Sequence, residues 1–282
     1  MNINWYPGHM KKTKESIQKS LKMVDIVFEL IDARIPISSQ NPVIDLIVGD
    51  KPRVIILNKS DLASSNGNKI WQEYFLKKNI SSISLEALTG KGIDKLLDIS
   101  YALTDEKRKA YEKRGVINRP IRAMILGIPN VGKSTLINSL SGRKGAKTGN
   151  KPGVTKSNQW IKTKGNLELL DTPGILWPKF EDPEVGLNLA FTGAIKDEIL
   201  DIETLALKLI EKLANYFPNF LNNRYNIEIE GKSYLNIMEE IAKRRGCILK
   251  GGEIDYTKVS NIILDEFRKG VIGKITLEFP NE

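Results

Sequence analysis

Cysteine and histidine are almost missing: the chain has one of each, Cys247 and His9, in 282 residues. A lone cysteine excludes an internal disulfide framework and any cysteine-rich zinc cluster. It reads instead as a free buried thiol in a reducing compartment. A lone histidine excludes HExxH and other sites built from several imidazoles. Long apolar runs are missing too, since nothing approaches the ~18–20 residues of a spanning helix. The first residues, Met1 to Gly8, lack the charged and apolar regions of a secretory signal. A cytoplasmic chain with no membrane partner is therefore expected. Acids are outnumbered, 34 against 43 Lys+Arg, for a net charge of +9. With 41 % apolar and 27 % charged residues the chain reads as globular, not disordered.

The basic excess is uneven. Lys11 to Lys22 holds five lysines and one acid, Lys107 to Arg122 seven basic residues and one acid, and Arg143 to Lys164 seven basic residues and no acid. Residues 200–282 are close to neutral, with twelve basic and thirteen acidic residues. Clustered charge of this kind fits a polyanionic partner, although any one cluster is as well explained as a solvated face.

Apolar runs at 24–32, 53–57, 80–86, 121–126, 158–163 and 167–171 read as strands. The run Arg53 to Leu57 is continuously apolar after its first residue, as a parallel strand buried on both faces requires. Helical patterns fall at 11–22, 42–48, 66–78, 92–113 and 133–141. Strands alternating with helices indicate an α/β domain with a mainly parallel sheet. After about 183 the pattern becomes helical, with amphipathic segments at 201–217, 233–245 and 257–269 and a short strand expected at 274–279. The expected division is an α/β domain over 1–180, including the segment 1–22, and a smaller, mostly helical domain over 181–282.

Gly127 to Ser134 reads G-I-P-N-V-G-K-S and fits G-x-x-x-x-G-K-[ST], between a strand and a helix. In such a loop the amides of Asn130, Val131, Gly132, Lys133, Ser134 and Thr135 curl round a phosphate. The helix N-terminus and the Lys133 ammonium supply positive charge, and the Ser134 hydroxyl serves Mg²⁺. Asp171-Thr172-Pro173-Gly174 ends another strand. Asp171 is placed to hold Mg²⁺, and the Gly174 amide to sense a γ-phosphate. Asn58-Lys59-Ser60-Asp61 follows the buried strand 53–57 and fits N-K-x-D, the guanine-reading element of GTPases. The Asp61 carboxylate accepts from guanine N1–H and N2–H₂, a donor pair that adenine lacks. Lys59 lies along the base. Ser84-Leu85-Glu86, at the end of a further strand, resembles the supporting S-A-K element but departs from it at Leu85 and Glu86.

The motif order is inverted. N-K-x-D and the S-A-K-like element precede the phosphate loop, which in GTPases normally comes first. The expected fold is thus a P-loop GTPase fold with circularly permuted motif order plus the helical C-terminal domain, with 107–120 as the splice. Permutation is tolerated where the old termini lie close together at the surface. The exit from D-T-P-G then leads into the C-terminal domain.

The permuted order, Gly127 to Thr135 (G-I-P-N-V-G-K-S-T), Pro152-Gly153-Val154-Thr155, Asp171 to Phe180 (D-T-P-G-I-L-W-P-K-F) and the opening Trp5-Tyr6-Pro7-Gly8-His9-Met10 together resemble the YlqF/YawG family of circularly permuted GTPases. The resemblance covers nearly the whole chain. It implies a GTPase that binds GTP and GDP with Mg²⁺, and a monomer is expected. It further implies binding to the precursor of the large ribosomal subunit, through rRNA and ribosomal proteins, and a role late in its maturation. It matches Thr155 to the switch I threonine of the Mg²⁺ shell, and Asn130 to an asparagine that helps hold K⁺ beside the phosphates. A nucleotide-dependent switch with protein partners only is the alternative.

Hydrolysis leaves one role open. Ras-like enzymes orient the attacking water with a Gln directly after D-x-x-G. Here that residue is Ile175, which cannot hydrogen-bond to water, so a low intrinsic rate with stimulation by a ribosomal partner is expected. The family resemblance points to His9 for this role, and Lys133 and Gly174 complete the expected catalytic set. Anchoring of the N-terminal segment is the other role open to His9, and an RNA or protein partner is the other source of the missing group.

Overall fold

The computed structural model describes residue 15 and residues 17–142, 159–171 and 182–280. Two compact units share the chain: Met1–Val185 together with Thr276–Glu282, and Gly186–Ile275.

The first unit is built on a six-stranded sheet of β1 (Ile26–Asp32), β2 (Arg53–Asn58), β3 (Ser81–Leu85), β4 (Ile121–Gly127), β5 (Gln159–Thr163) and β6 (Leu167–Asp171), in the order β3-β2-β1-β4-β6-β5. All neighbours are parallel except β5, which runs antiparallel to β6. Every residue of β1 is buried, which explains its nearly unbroken apolar sequence. The chain steps outward from β1 to β3, then returns to the other side of β1 at β4. That reversal is a topological switch point, where α/β sheets place their ligands beyond the carboxyl ends of the strands. Asp32, Asn58, Leu85, Gly127 and Asp171 all end parallel strands at this edge.

The connecting helices are α1 (Pro36–Ser39), α2 (Pro42–Val48), α3 (Ser65–Lys77), α4 (Ile93–Leu103), α5 (Asp105–Glu112) and α6 (Lys133–Ser141). Ile17, Leu21, Val24, Ile44 and Ile47 pack with Met124, Leu126 and Leu170 in one core cluster. Ile31, Ile55 and Leu57 pack with Trp71 and Phe75 of α3 in another. Trp71 is thus a core residue, and Trp160 is half-buried under the Arg122 guanidinium, 4.9 Å from its ring.

The helix expected over 92–113 is two helices. Ser100 and Thr104 turn their hydroxyls back onto the carbonyls of Leu96 and Ser100, at 2.6 and 2.7 Å, and such back-bonding competes with helix propagation.

The second unit consists of the end of α7 (Pro183–Phe191), a 3₁₀ turn (Asp197–Ile199), α8 (Ile202–Tyr216), α9 (Pro218–Tyr225), α10 (Tyr234–Arg244) and α11 (Tyr256–Arg268). Leu205, Leu209, Ile210 and Leu213 form the buried stripe of α8. Glu266 of α11 takes both Arg224 and Arg245. Burial alone would raise its carboxyl, but these cations hold it below its usual value.

The chain's last turn differs from expectation. Residues 274–279 form no strand, and Thr276–Glu282 belong to the first unit, not to the helical one. Their anchors are individual bonds rather than a ladder: Leu277 N–H donates to the Arg34 carbonyl at 2.8 Å, and the Trp71 indole donates to the Glu278 carbonyl at 2.9 Å.

Candidate functional site

The phosphate loop leaves β4 with its glycines where a side chain would not fit. A Cβ on Gly127 would lie 2.6 Å from the Leu30 carbonyl oxygen. Gly132, at φ +105°, turns the chain into α6, whose first residue is Lys133. The buried Lys133 side chain curls under the loop, donating to the carbonyls of Gly127 and Ile128 at 2.9 and 2.7 Å. Val131 is buried, and Ser134 and Thr135 are half-buried at the start of α6.

Asn58 joins this loop to the rest of the site. Its Nδ2 donates to the Val131 carbonyl at 2.7 Å, and its Oδ1 accepts from Ala87 N–H at 3.0 Å. One buried amide therefore holds the phosphate loop and the loop after β3 in fixed register. A Cβ on Gly132 would meet Asn58 Nδ2 at 2.3 Å. The glycine is needed as much for this side chain as for its backbone angle.

Lys59, with φ +58°, sends its Nζ to the Asn130 carbonyl at 3.0 Å and to Asp32 Oδ2 at 3.1 Å. Asp32 also accepts Arg34 Nε and Nη2 at 2.9 and 2.7 Å and the Arg34 backbone N–H at 3.1 Å. Burial alone would raise the Asp32 carboxyl, but Arg34 and Lys59 hold it well below the usual carboxylate range. Burial lowers the Lys59 ammonium, and Asp32 partly restores it.

Asp61 is exposed at the mouth of this edge. Its neighbour Ser60 donates N–H to the Leu85 carbonyl at 3.3 Å and accepts Asn68 Nδ2 of α3 at 3.0 Å. Ser84 Oγ accepts Gln72 Nε2, also from α3, at 2.9 Å. Where Leu85 and Glu86 replace the Ala and Lys of S-A-K, the backbone of Leu85 and Ala87 makes contacts to Ser60 and Asn58.

Asp171 ends β6 at the same sheet edge; its side chain, together with His9, Thr155 and Gly174, lies outside the described residues. Two groups eluded sequence reasoning. One is the Asp32–Arg34 pair, whose only signal was two opposite charges flanking Ala33 at the end of an apolar strand. The other is the pair Asn68 and Gln72, one helical turn apart and facing the loops.

A phosphate loop on β4, laced through Asn58 to an N-K-x-D element that precedes it in the chain, defines a circularly permuted P-loop GTPase. A family model described as "50S ribosome-binding GTPase" matches residues 122–235. Ribosome biogenesis GTPase A of Bacillus cereus is 47 % identical over 282 residues, covering 100 % of this chain and 95 % of that protein. The Thermotoga maritima protein of the same name is 31 % identical over 280 residues, covering 99 % and 95 %. A GNP-bound crystal structure of YlqF from T. maritima superposes with a TM-score of 0.64 at 27 % identity, covering 96 % of this chain and 99 % of that one. The chain belongs to the ribosome biogenesis GTPase A family, and it is a GTPase that binds guanine nucleotide.

Proposed function

We propose that this GTPase binds the precursor of the large ribosomal subunit, through rRNA and ribosomal proteins, late in its maturation in the cytoplasm, with the bound nucleotide setting its affinity. The observation that carries the reading is the Asn58 bridge between the phosphate loop and the base-reading side of the site, in a chain whose relatives bear ribosome-biogenesis names along their full length. The basic clusters support it. Among the described residues no helix is long and apolar enough to cross a membrane.

Each residue takes a role that its chemistry allows. Asp61 accepts from guanine N1–H and N2–H₂ and Lys59 lies along the base, while Ser84 supports the base-side loop. Lys133 and the amides of Asn130 to Thr135 receive the phosphates. Ser134, Thr155 and Asp171 offer only oxygen donors, the set that suits Mg²⁺. That ion, when bound, neutralises charge building on the transferring phosphoryl group. Asn130 is the candidate K⁺ contact. Gly174 senses the γ-phosphate, and since Ile175 cannot orient water, His9 does so. Positioned charge stabilises the transition state, with no covalent intermediate.

Co-sedimentation with large-subunit precursors tests the reading. Association with a non-hydrolysable GTP analogue that weakens with GDP and falls steeply with salt is expected. Equal absence of association in both states, or capture of protein partners without RNA, overturns it. For His9, His9→Ala should retain GTP binding and lose partner-stimulated turnover; unchanged turnover with the partner present removes the catalytic role.

A further inference from the structure

The tail from Thr276, part of the first unit, is bonded at named points. Thr276 Oγ1 accepts from Ser64 N–H at 3.2 Å and lies 3.2 Å from Ser64 Oγ. Ser64 caps α3, its Oγ accepting from Gly67 N–H at 2.9 Å. One helical turn further on, Trp71 donates to the Glu278 carbonyl. The tail is thus bonded to the start and middle of α3. From the same helix, Asn68 holds the Ser60 carbonyl and Gln72 holds Ser84. One helix carries the tail and both base-side loops.

A second line of contacts reaches the same place. Leu277 N–H donates to the Arg34 carbonyl. The Glu278 carboxylate takes the Ile37 and Ser38 amides at 2.7 and 2.9 Å as well as the Ser38 hydroxyl. The Arg34 guanidinium holds Asp32, and Asp32 holds Lys59. The two lines therefore meet at Lys59-Ser60, the centre of N-K-S-D.

Gly67 supplies an independent sign that α3 is shaped for the tail. Glycine is a poor residue inside a helix, yet it stands in the first turn of α3. A Cβ there would lie 2.3 Å from Thr276 Oγ1 and 2.7 Å from Ser64 Oγ. The small residue makes room for the tail's approach.

We infer that Thr276–Glu278 is a positioning strap for the guanine-reading element, setting through α3 and Arg34 how well Asp61 meets the base. The strap acts through other residues. The inference rests on the reading of Asn58 to Asp61 as the guanine contact.

The test compares GDP with inosine diphosphate, which lacks the 2-amino group, on the full chain and its Thr276→Val variant. Thr276→Val keeps shape and removes the hydroxyl. Expected is a loss of about three- to tenfold in GDP affinity, the worth of a neutral hydrogen bond, and a smaller loss for inosine diphosphate, which keeps only the N1–H bond to Asp61. KM for GTP should rise while kcat at saturation holds, and Thr276→Ser should restore KM and GDP affinity. Gly67→Ala, which pushes the tail off from the other side, should narrow the discrimination in the same way. Equal losses for both nucleotides would mean general loosening and overturn the strap, as would unchanged affinities in Thr276→Val and Gly67→Ala alike. If the unsubstituted chain itself fails to prefer GDP, the guanine reading falls, and that result is distinct from failure of the strap.

Discussion

Two aspartates bracket β1, and they are built alike. Asp25, just before the strand, takes Lys107 at 2.6 Å, Arg119 at 2.8 Å and the Arg122 amide at 2.9 Å. Asp32, at its far end, takes Arg34 at 2.7 Å and Lys59 at 3.1 Å. Both carboxyls would be raised by burial, and at both the nearby cations win and lower them. The partners differ. The two cations at Asp25 come from the segment 107–120, expected as the permutation splice, so the near end of β1 fastens that segment. Those of Asp32 are Arg34, two residues on, and Lys59 of the N-K-S-D loop, so the far end fastens that loop to the end of β1. The same device, a buried carboxylate with two cations, holds a connecting segment at one end and the N-K-S-D loop at the other.

The largest expected effect is at the far end. Asp32→Ala leaves the Arg34 charge buried without its partner, which costs about 3–5 kcal/mol, and releases Lys59. Denaturant unfolding should show the loss, and nucleotide titration should show guanine affinity falling with it. Intact affinity in a folded variant would break the assignment of that end to the ligand.

Between the two aspartates sits Glu29, which has Arg53 at 3.1 Å and shares that cation with Asp45. Burial pushes its carboxyl from 4.5 to about 7, against the pull of Arg53. The folded state therefore holds a proton that the unfolded state releases. Stability from this group is fullest below about pH 4.5 and is lost as pH rises through 7. Glu29→Gln should flatten that fall, gaining on the parent chain by on the order of 2–3 kcal/mol between pH 5 and pH 8, read from unfolding curves at both values. A parallel pH dependence in the two chains would show that one cation suffices.

At the near end, Asp25→Ala should cost about 2 kcal/mol of stability, since Lys107 and Arg119 lie near enough to the surface to regain water. Guanine affinity should stay unchanged, and a drop in it would erase the contrast between the ends. Smallest is Lys107→Met. Its side chain is 45 % exposed, so a loss under about 1 kcal/mol is expected in the same measurement.

The six sheet strands were legible because each is an apolar run bounded by a break, and the structure moves their ends by no more than two residues, as at Ile26, whereas the strand expected at 274–279 is absent. Motif loops were legible because glycine and lysine at fixed spacing leave few alternatives. The basic cluster Lys107 to Arg122 misled in part: Lys107, Arg119 and Arg122 are paired with Asp25 and Glu168, so charge that read as a polyanion surface is partly internal. Glu278 was illegible for the opposite reason. Its partners, Ile37 and Ser38, lie some 240 positions away, and no local pattern marks a carboxylate aimed at distant backbone.

The Asn58 amide has a consequence for ionic strength. It joins the phosphate loop to Ala87 with two neutral hydrogen bonds, neither of which carries a net charge for salt to screen. Contacts between lysines and a polyanion weaken steeply as salt rises. A wash strong enough to strip a partner held by such contacts should leave this joint between the two loops standing.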